Sequence, residues 1–261
     1  TYTENAPLTL YPHWVESCDS TKIGAVTIYT YATDGRKEAV MDGEYGSSEN
    51  TDEVQFPNDV FTDPEGLEVS KITLNRKFTI GTMPTIMLPF TINVNNVHGG
   101  VFYRFKRVDI VNGERKVIIG KVKTSSIGAN TPYMFMPEEE EMTFDGSVTL
   151  NTTTDPSETL STEDGNWEFK GTYKYIKFNG SDNVFGFAGQ ARSGAKVGQF
   201  VQNGGNGADI LSMRAYLENY ESNSMLKSTR MMKRATFGLP TEIEVEIENE
   251  EGSTVATGKF T

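Results

Sequence analysis

Residues 167–178 read WEFKGTYKYIKF. Aromatic side chains at Trp167, Phe169, Tyr173, Tyr175 and Phe178 stand among charged and small residues, the composition of a half-buried strand. Odd positions before Gly171 share one face, which places Trp167 and Phe169 together in a core, and Gly171 marks a bulge. The same period recurs on both sides of this stretch. Val101–Val108 (VFYRFKRV) sets Val101, Tyr103 and Phe105 against Phe102, Arg104 and Lys106, and Asn112-Gly113 then separates it from Lys116–Val122. Asn-Gly between two alternating runs is the strongest short hairpin signal. Glu242–Glu248 (EIEVEIE) alternates without a fault, with Ile243, Val245 and Ile247 on one face and the glutamates expected in water; Ser253–Phe260 returns as the second arm of a terminal hairpin.

Near the start, Ala25–Tyr31 (AVTIYTY) and Arg36–Met41 are joined at Asp34-Gly35 and closed at Asp42-Gly43, a short meander. Pro84–Phe90 (PTIMLPF) is nearly all apolar and reads as a strand buried on both faces, with Pro89 confined to its end or edge. Residues 42–53 and 152–166 are polar and acidic and read as loops, and Glu138–Glu141 as a solvated strand end. Residues 221–238 carry Lys227, Arg230, Lys233 and Arg234 with methionines at 225, 231 and 232; a short helix and a linker both fit. Many short strands at 8–12-residue spacing predict an all-β chain built on an antiparallel, jelly-roll-like β-sandwich.

The chain has 261 residues, 24 Lys and Arg against 36 Asp and Glu, and a net charge of −12. That balance argues against nucleic acid, whose phosphates need clustered cations. No apolar run approaches the length of a membrane-spanning helix, so no membrane insertion is expected. The single Cys18 cannot form an internal disulfide or a cysteine-built zinc site. Residues 1–20 show no secretory leader, which a segment starting inside a longer protein would lack in any case.

Little in the chain suits nucleophilic catalysis. His13 and His98 are the only histidines, and no Gly-x-Ser-x-Gly elbow is present. Gly204-Gly205-Asn206-Gly207 lacks the Lys-Ser/Thr of a phosphate loop and reads as a turn. Glycoside hydrolysis needs two facing carboxylates, and the sequence singles out no pair. No cofactor is required. A structural calcium ion could draw on Asp155, Asp164, Asn179 and Asp182, since calcium takes hard oxygen ligands; solvated loop carboxylates are the alternative. Aromatic rings stack on the apolar faces of sugars. On that chemistry Tyr103, Tyr133, Tyr173 and Tyr175 are candidate glycan platforms, with Trp14 near an exposed end, although aromatics in a sandwich also build its core.

Two resemblances follow from particular strings. LTLYPHW at 8–14 resembles the closing strand of the internalin-type B-repeat (the Listeria–Bacteroides repeat). GAVTI at 24–28, RKFTIGTMPTIMLPF at 76–90, VFYRF at 101–105, ANTPYMF at 129–135, WEFKGTY at 167–173, VFGFAGQ at 184–190, VGQFV at 197–201 and ADILSMRAYL at 208–217 stand in an order similar to a β-rich region near the C-termini of large secreted proteins of fibre-degrading gut and rumen bacteria, of the fibrobacter type. The glycine run at Gly204–Asp209 departs from that form. The resemblance implies a multidomain parent and an extracellular or cell-surface setting, and transfers no functional residue. The chain is expected to divide into a repeat tail at 1–17, a small β unit at 18–80, the sandwich at 81–220, and a linker or helix plus hairpin at 221–261. The expected function is a non-catalytic module binding plant cell-wall polysaccharide beside neighbouring domains. A structural or adhesion module without a glycan site is the second reading, and a glycoside hydrolase the third.

Overall fold

The computed structural model describes residues 16–23, 25–45, 66–150, 160–162, 166–180, 183–189, 196–202, 208–220, 241–249 and 254–256. The described chain is nearly all strand, as the alternation predicts. The N-terminal part supplies β1 (Cys18–Ile23), β2 (Val26–Tyr31), β3 (Lys37–Asp42), β4 (Leu67–Val69) and β5 (Lys71–Asn75). The middle supplies β6 (Thr85–Met87), β7 (Ile92–Asn93), β8 (Val97–His98), β9 (Gly100–Val111), β10 (Glu114–Lys121), β11 (Ser126–Ile127), β12 (Pro132–Pro137), β13 (Thr143–Phe144) and β14 (Val148–Leu150). The last part supplies β15 (Leu160–Ser161), β16 (Trp167–Thr172), β17 (Ile176–Phe178), β18 (Val184–Phe187), β19 (Gln199–Gln202), β20 (Ala208–Ile210), β21 (Arg214–Asn219), β22 (Glu242–Glu248) and β23 (Thr254–Ala256).

Two sheets carry the fold. The smaller has the order β1-β2-β3-β5, antiparallel except for the parallel β3–β5 pair. The larger runs β15-β16-β21-β18-β19-β22-β10-β9-β12-β6, with β23 beside β22. It curls back on itself. Phe105 of β9 stacks on Phe169 of β16 at 5.4 Å between ring centroids, although five strands lie between them in the order. At the closing edge, the Thr85 hydroxyl of β6 donates to Ala215 O of β21 at 3.0 Å and accepts from Ala215 N at 2.9 Å. Met87 N donates to Met213 O beside it at 3.2 Å. Gly171 permits this approach, because a Cβ there would lie 2.1 Å from Met87 Sδ.

The interior of the curl is one apolar core, including Tyr103, Phe105, Met134, Trp167, Phe169, Phe200, Leu217, Ile243 and Val245. Trp167 and Phe169 are buried side by side, as their parity requires. A second core lies between the outer face of β6, β12 and β9 and the small sheet, joining Ile28, Met41 and Leu74 to Ile86, Phe102, Tyr133 and Phe135. β12 is therefore buried on both faces, Met134 inward and Tyr133 and Phe135 outward. Roughly 1.5–3 kcal/mol for each large apolar side chain removed from water makes such a shared core a strong lock between the two sheets.

The hairpin at Asn112-Gly113 forms as its chemistry predicts, with φ of 53° and 86° and Glu114 opposite Val111. The terminal hairpin also forms, but neither at an edge nor as a separate unit. β22 enters the large sheet between β19 and β10, parallel to β10, so that sheet extends past residue 220. Its glutamates are not simply in water. Glu244 lies opposite Lys116 and accepts from its Nζ at 2.6 Å, while Glu248 pairs with Lys106 and, at 2.8 Å, with Arg107. Interior placement gives Glu244 and Glu248 cations from neighbouring strands. The basic segment at 221–238 and residues 1–15 lie outside the described residues.

Candidate functional site

β4 and β5 are nearly continuous, but they turn to different partners. β4 pairs with β14, and after Ser70 the chain crosses to pair β5 with β3. β13 pairs with β8 instead of following β14 along β5. The divergence leaves a groove of about 560 Å³ between β5 and β13. Lys71, Thr73, Asn75 and Lys77 stand exposed along one side, Glu141 and Thr143 along the other, and Ile72, Leu74, Met142 and Phe144 form the apolar part of the lining. Phe144 is half-buried and meets Phe90 edge-on at 5.4 Å.

Backbone contacts fix both walls. Phe78 N donates to Glu140 O at 2.8 Å, and the Gly99 carbonyl accepts from Glu138 N and Glu139 N at 2.8 and 3.1 Å. Lys77 and Glu141 form an exposed ion pair across the end of the groove. The Lys77 hydrogen bond holds the Glu141 carboxyl below its ordinary range. Such an exposed pair orients the wall more than it stabilises the fold.

The turn after β3 packs against the same C-terminal end of β5. Gly43 N donates to Asn75 O at 3.0 Å, and Ser212 N donates to Tyr45 O at 3.1 Å. Gly43 lets this turn lie on Arg76, since a Cβ there would come within 2.6 Å of Arg76 Cβ. Arg76 is 7% exposed; its Nη1 donates to Thr85 O at 3.0 Å and its guanidinium lies 4.6 Å from the Phe78 ring centroid. Glu44, on the groove wall, accepts from Arg214 Nη2 at 2.9 Å. Neither arginine stood out among the candidate residues, because 138 positions of chain separate them and no local motif joins them.

The tyrosine candidates are corrected by burial. Tyr103, Tyr133, Tyr173 and Tyr175 are between 5 and 7% exposed, which leaves no open ring face for a sugar. Tyr103 points into the inner core, and Tyr133 and Tyr173 into the core shared by the two sheets. The Tyr173 hydroxyl donates to Asn130 Oδ1 at 2.6 Å, and the Tyr133 hydroxyl accepts from Gly128 N at 3.1 Å. Burial first, and then the Asp209 carboxylate, raise the Tyr175 phenol. The outward face of β12, which would carry an exposed Tyr133 on a free sheet, is covered by the small sheet.

Of the proposed calcium ligands, Asn179 is exposed just after β17, and Asp155, Asp164 and Asp182 lie outside the described residues, as does Trp14. Among the described residues, no group of three or more His, Cys, Asp and Glu could hold a metal ion. Cys18 is exposed on β1, and the exposed His98 lies 2.7 Å from Asp145. No helix among the described residues is long and apolar enough to cross a membrane. In comparisons with known proteins, no family model, curated protein or solved structure matches this chain.

Proposed function

We propose that the chain is a non-catalytic extracellular module of a multidomain secreted protein, and that it binds plant cell-wall polysaccharide in the β5–β13 groove. The observation that carries this reading is the groove wall. Lys71, Thr73, Asn75 and Thr143 offer donors and acceptors for sugar hydroxyls beside the partly exposed Phe144. Sugar recognition needs that combination of paired hydroxyls and an apolar patch. The secreted setting is supported by the ordered landmark strings between residues 24 and 217.

A structural or adhesion module is the second reading, favoured by the burial of all four tyrosines. Hydrolysis draws no support from the described carboxylates. Those with a resolved shift (Glu16, Asp34, Glu114, Glu141 and Glu248) are all held low by cationic or backbone partners, whereas a general acid needs a raised value.

The test is depletion of the purified chain from solution by insoluble cellulose, xylan and mannan, with calcium and with chelator. Depletion that falls at least tenfold in a Thr73→Ala, Asn75→Ala double variant assigns binding to the groove. No depletion on any polysaccharide replaces this reading with the structural one.

A further inference from the structure

At the end of the groove Arg214 holds Glu44, and Arg76 lies close enough to feel the charge of both. Arg214 opens β21 with its side chain 16% exposed; Nη2 holds Glu44, and Nη1 is buried with no hydrogen-bond partner among the described residues. Arg76 spends one donor on Thr85 O and stacks on Phe78. Burial, and then the neighbouring Arg214 charge, pull Arg76 well below its ordinary range, with Glu44 opposing them. Burial does the same to Arg214. Guanidinium stays protonated at neutral pH, so the site holds two cations and one anion. Among the described residues Glu44 is the anion at the site, and it is also the outermost member, its side chain 57% exposed.

A structural cluster capping the turn at residues 42–45 would account for the Arg214–Glu44 pair. It leaves Arg214 Nη1 without a bond, and a buried charged donor left unpaired is costly. It also leaves Arg76 and Glu44 lining an open groove. Carboxylates and guanidinium groups match in a planar, two-bond geometry, and Glu44 already shows that Arg214 accepts a carboxylate.

We propose that Arg76 and Arg214 form a subsite for the carboxylate of an acidic polysaccharide, a uronate unit that enters along the β5–β13 groove and displaces Glu44 from Arg214. This rests on the polysaccharide reading of the groove and names its ligand class. A groove of about 560 Å³ is far larger than an inorganic ion needs, and exposed Lys71 adds positive charge along the polymer's path.

The experiment is calorimetric titration with polygalacturonate, its fully methyl-esterified form, xylan, monomeric galacturonate and inorganic phosphate. Polygalacturonate binds, and esterification, which neutralises each carboxylate and adds a methyl group, weakens binding at least tenfold. Glu44→Gln binds polygalacturonate several-fold more tightly, because a competing carboxylate is gone. Arg214→Met loses at least tenfold. If Arg214→Met does not fold, the esterified polymer and the exposed Glu44→Gln variant still decide. Equal binding of both polymers, or weaker binding by Glu44→Gln, overturns the proposal. Binding of xylan alone overturns it while leaving the groove reading intact, and binding of no polysaccharide overturns both. Phosphate or monomeric galacturonate binding as tightly as the polymer overturns the polymeric source.

Discussion

Replacing Thr85 by valine isolates the bonds that close the large sheet. Thr85 is 3% exposed, and its one hydroxyl serves both Ala215 N and Ala215 O. Valine keeps the shape and the second methyl group but neither bond. A buried backbone group stripped of its partner costs about 1–3 kcal/mol, so two of them cost about 2–6 kcal/mol. The added methyl returns about 0.8 kcal/mol of apolar burial. The expected loss is therefore about 1–5 kcal/mol, toward the lower part where the β6 edge relaxes. Thr85→Ser keeps the hydroxyl and deletes a methyl, a loss of about 1 kcal/mol with its small cavity. Urea unfolding followed by fluorescence reads both, since Trp167 is fully buried in the adjoining core. The midpoint should fall in the order wild type, serine, valine, at unchanged slope. A valine variant within about 0.5 kcal/mol of wild type, or a serine variant worse than valine, refutes the assignment of closure to these bonds.

Two further outcomes follow from the same geometry. Gly99 has φ of 98°, and a Cβ there would stand 2.2 Å from Glu141 O, so Gly99→Ala should cost at least about 2 kcal/mol and distort the wall that carries Glu141 and Met142. Gly113→Ala is the control, with φ of 86° but open space around it, and equal losses in the two would show that contact with residue 141 is irrelevant. Burial raises Tyr103, Tyr173 and Tyr216 above 10, and burial with the Glu168–Lys170–Glu218 network takes Tyr220 to about 12. A phenol raised in the folded state contributes stability that is whole below the unfolded value of 10 and is lost as pH rises through the folded value. Ultraviolet titration should show Tyr173 ionising only as the protein unfolds, and a single prompt step near pH 10 for every tyrosine would contradict its burial.

The strands were legible because their signals are local. Alternation at 101–105 and 167–169 identifies the inward side chains, and Asn112-Gly113 supplies the positive φ angles that its hairpin needs. What alternation cannot say is whether the second face is also covered. Tyr133 has the parity of an outward residue, and only the packing of a sheet formed by residues 18–75 turns that outward face into core. The place of β22 was hidden for a similar reason. Its pairing partner Lys116 lies 128 residues earlier, and a parallel neighbour leaves no turn between the strands to announce it.

Aromatic richness pointed to the wrong surface because an aromatic in an alternating strand obeys the local rule for a core residue, whatever its other uses. The more informative residues break that rule. Arg214 sits between Met213 and Ala215, each 1% exposed, in a stretch whose neighbours are otherwise built for burial. Arg76 directly follows the alternating strand β5 and is only 7% exposed. A cation in such a place must either find an anion or weaken the fold. Glu44 answers half of that demand and does so from an exposed position. Local inconsistency of this kind is expected where a fold accommodates a ligand; the two arginines and their outlying carboxylate show it, and the buried tyrosines do not.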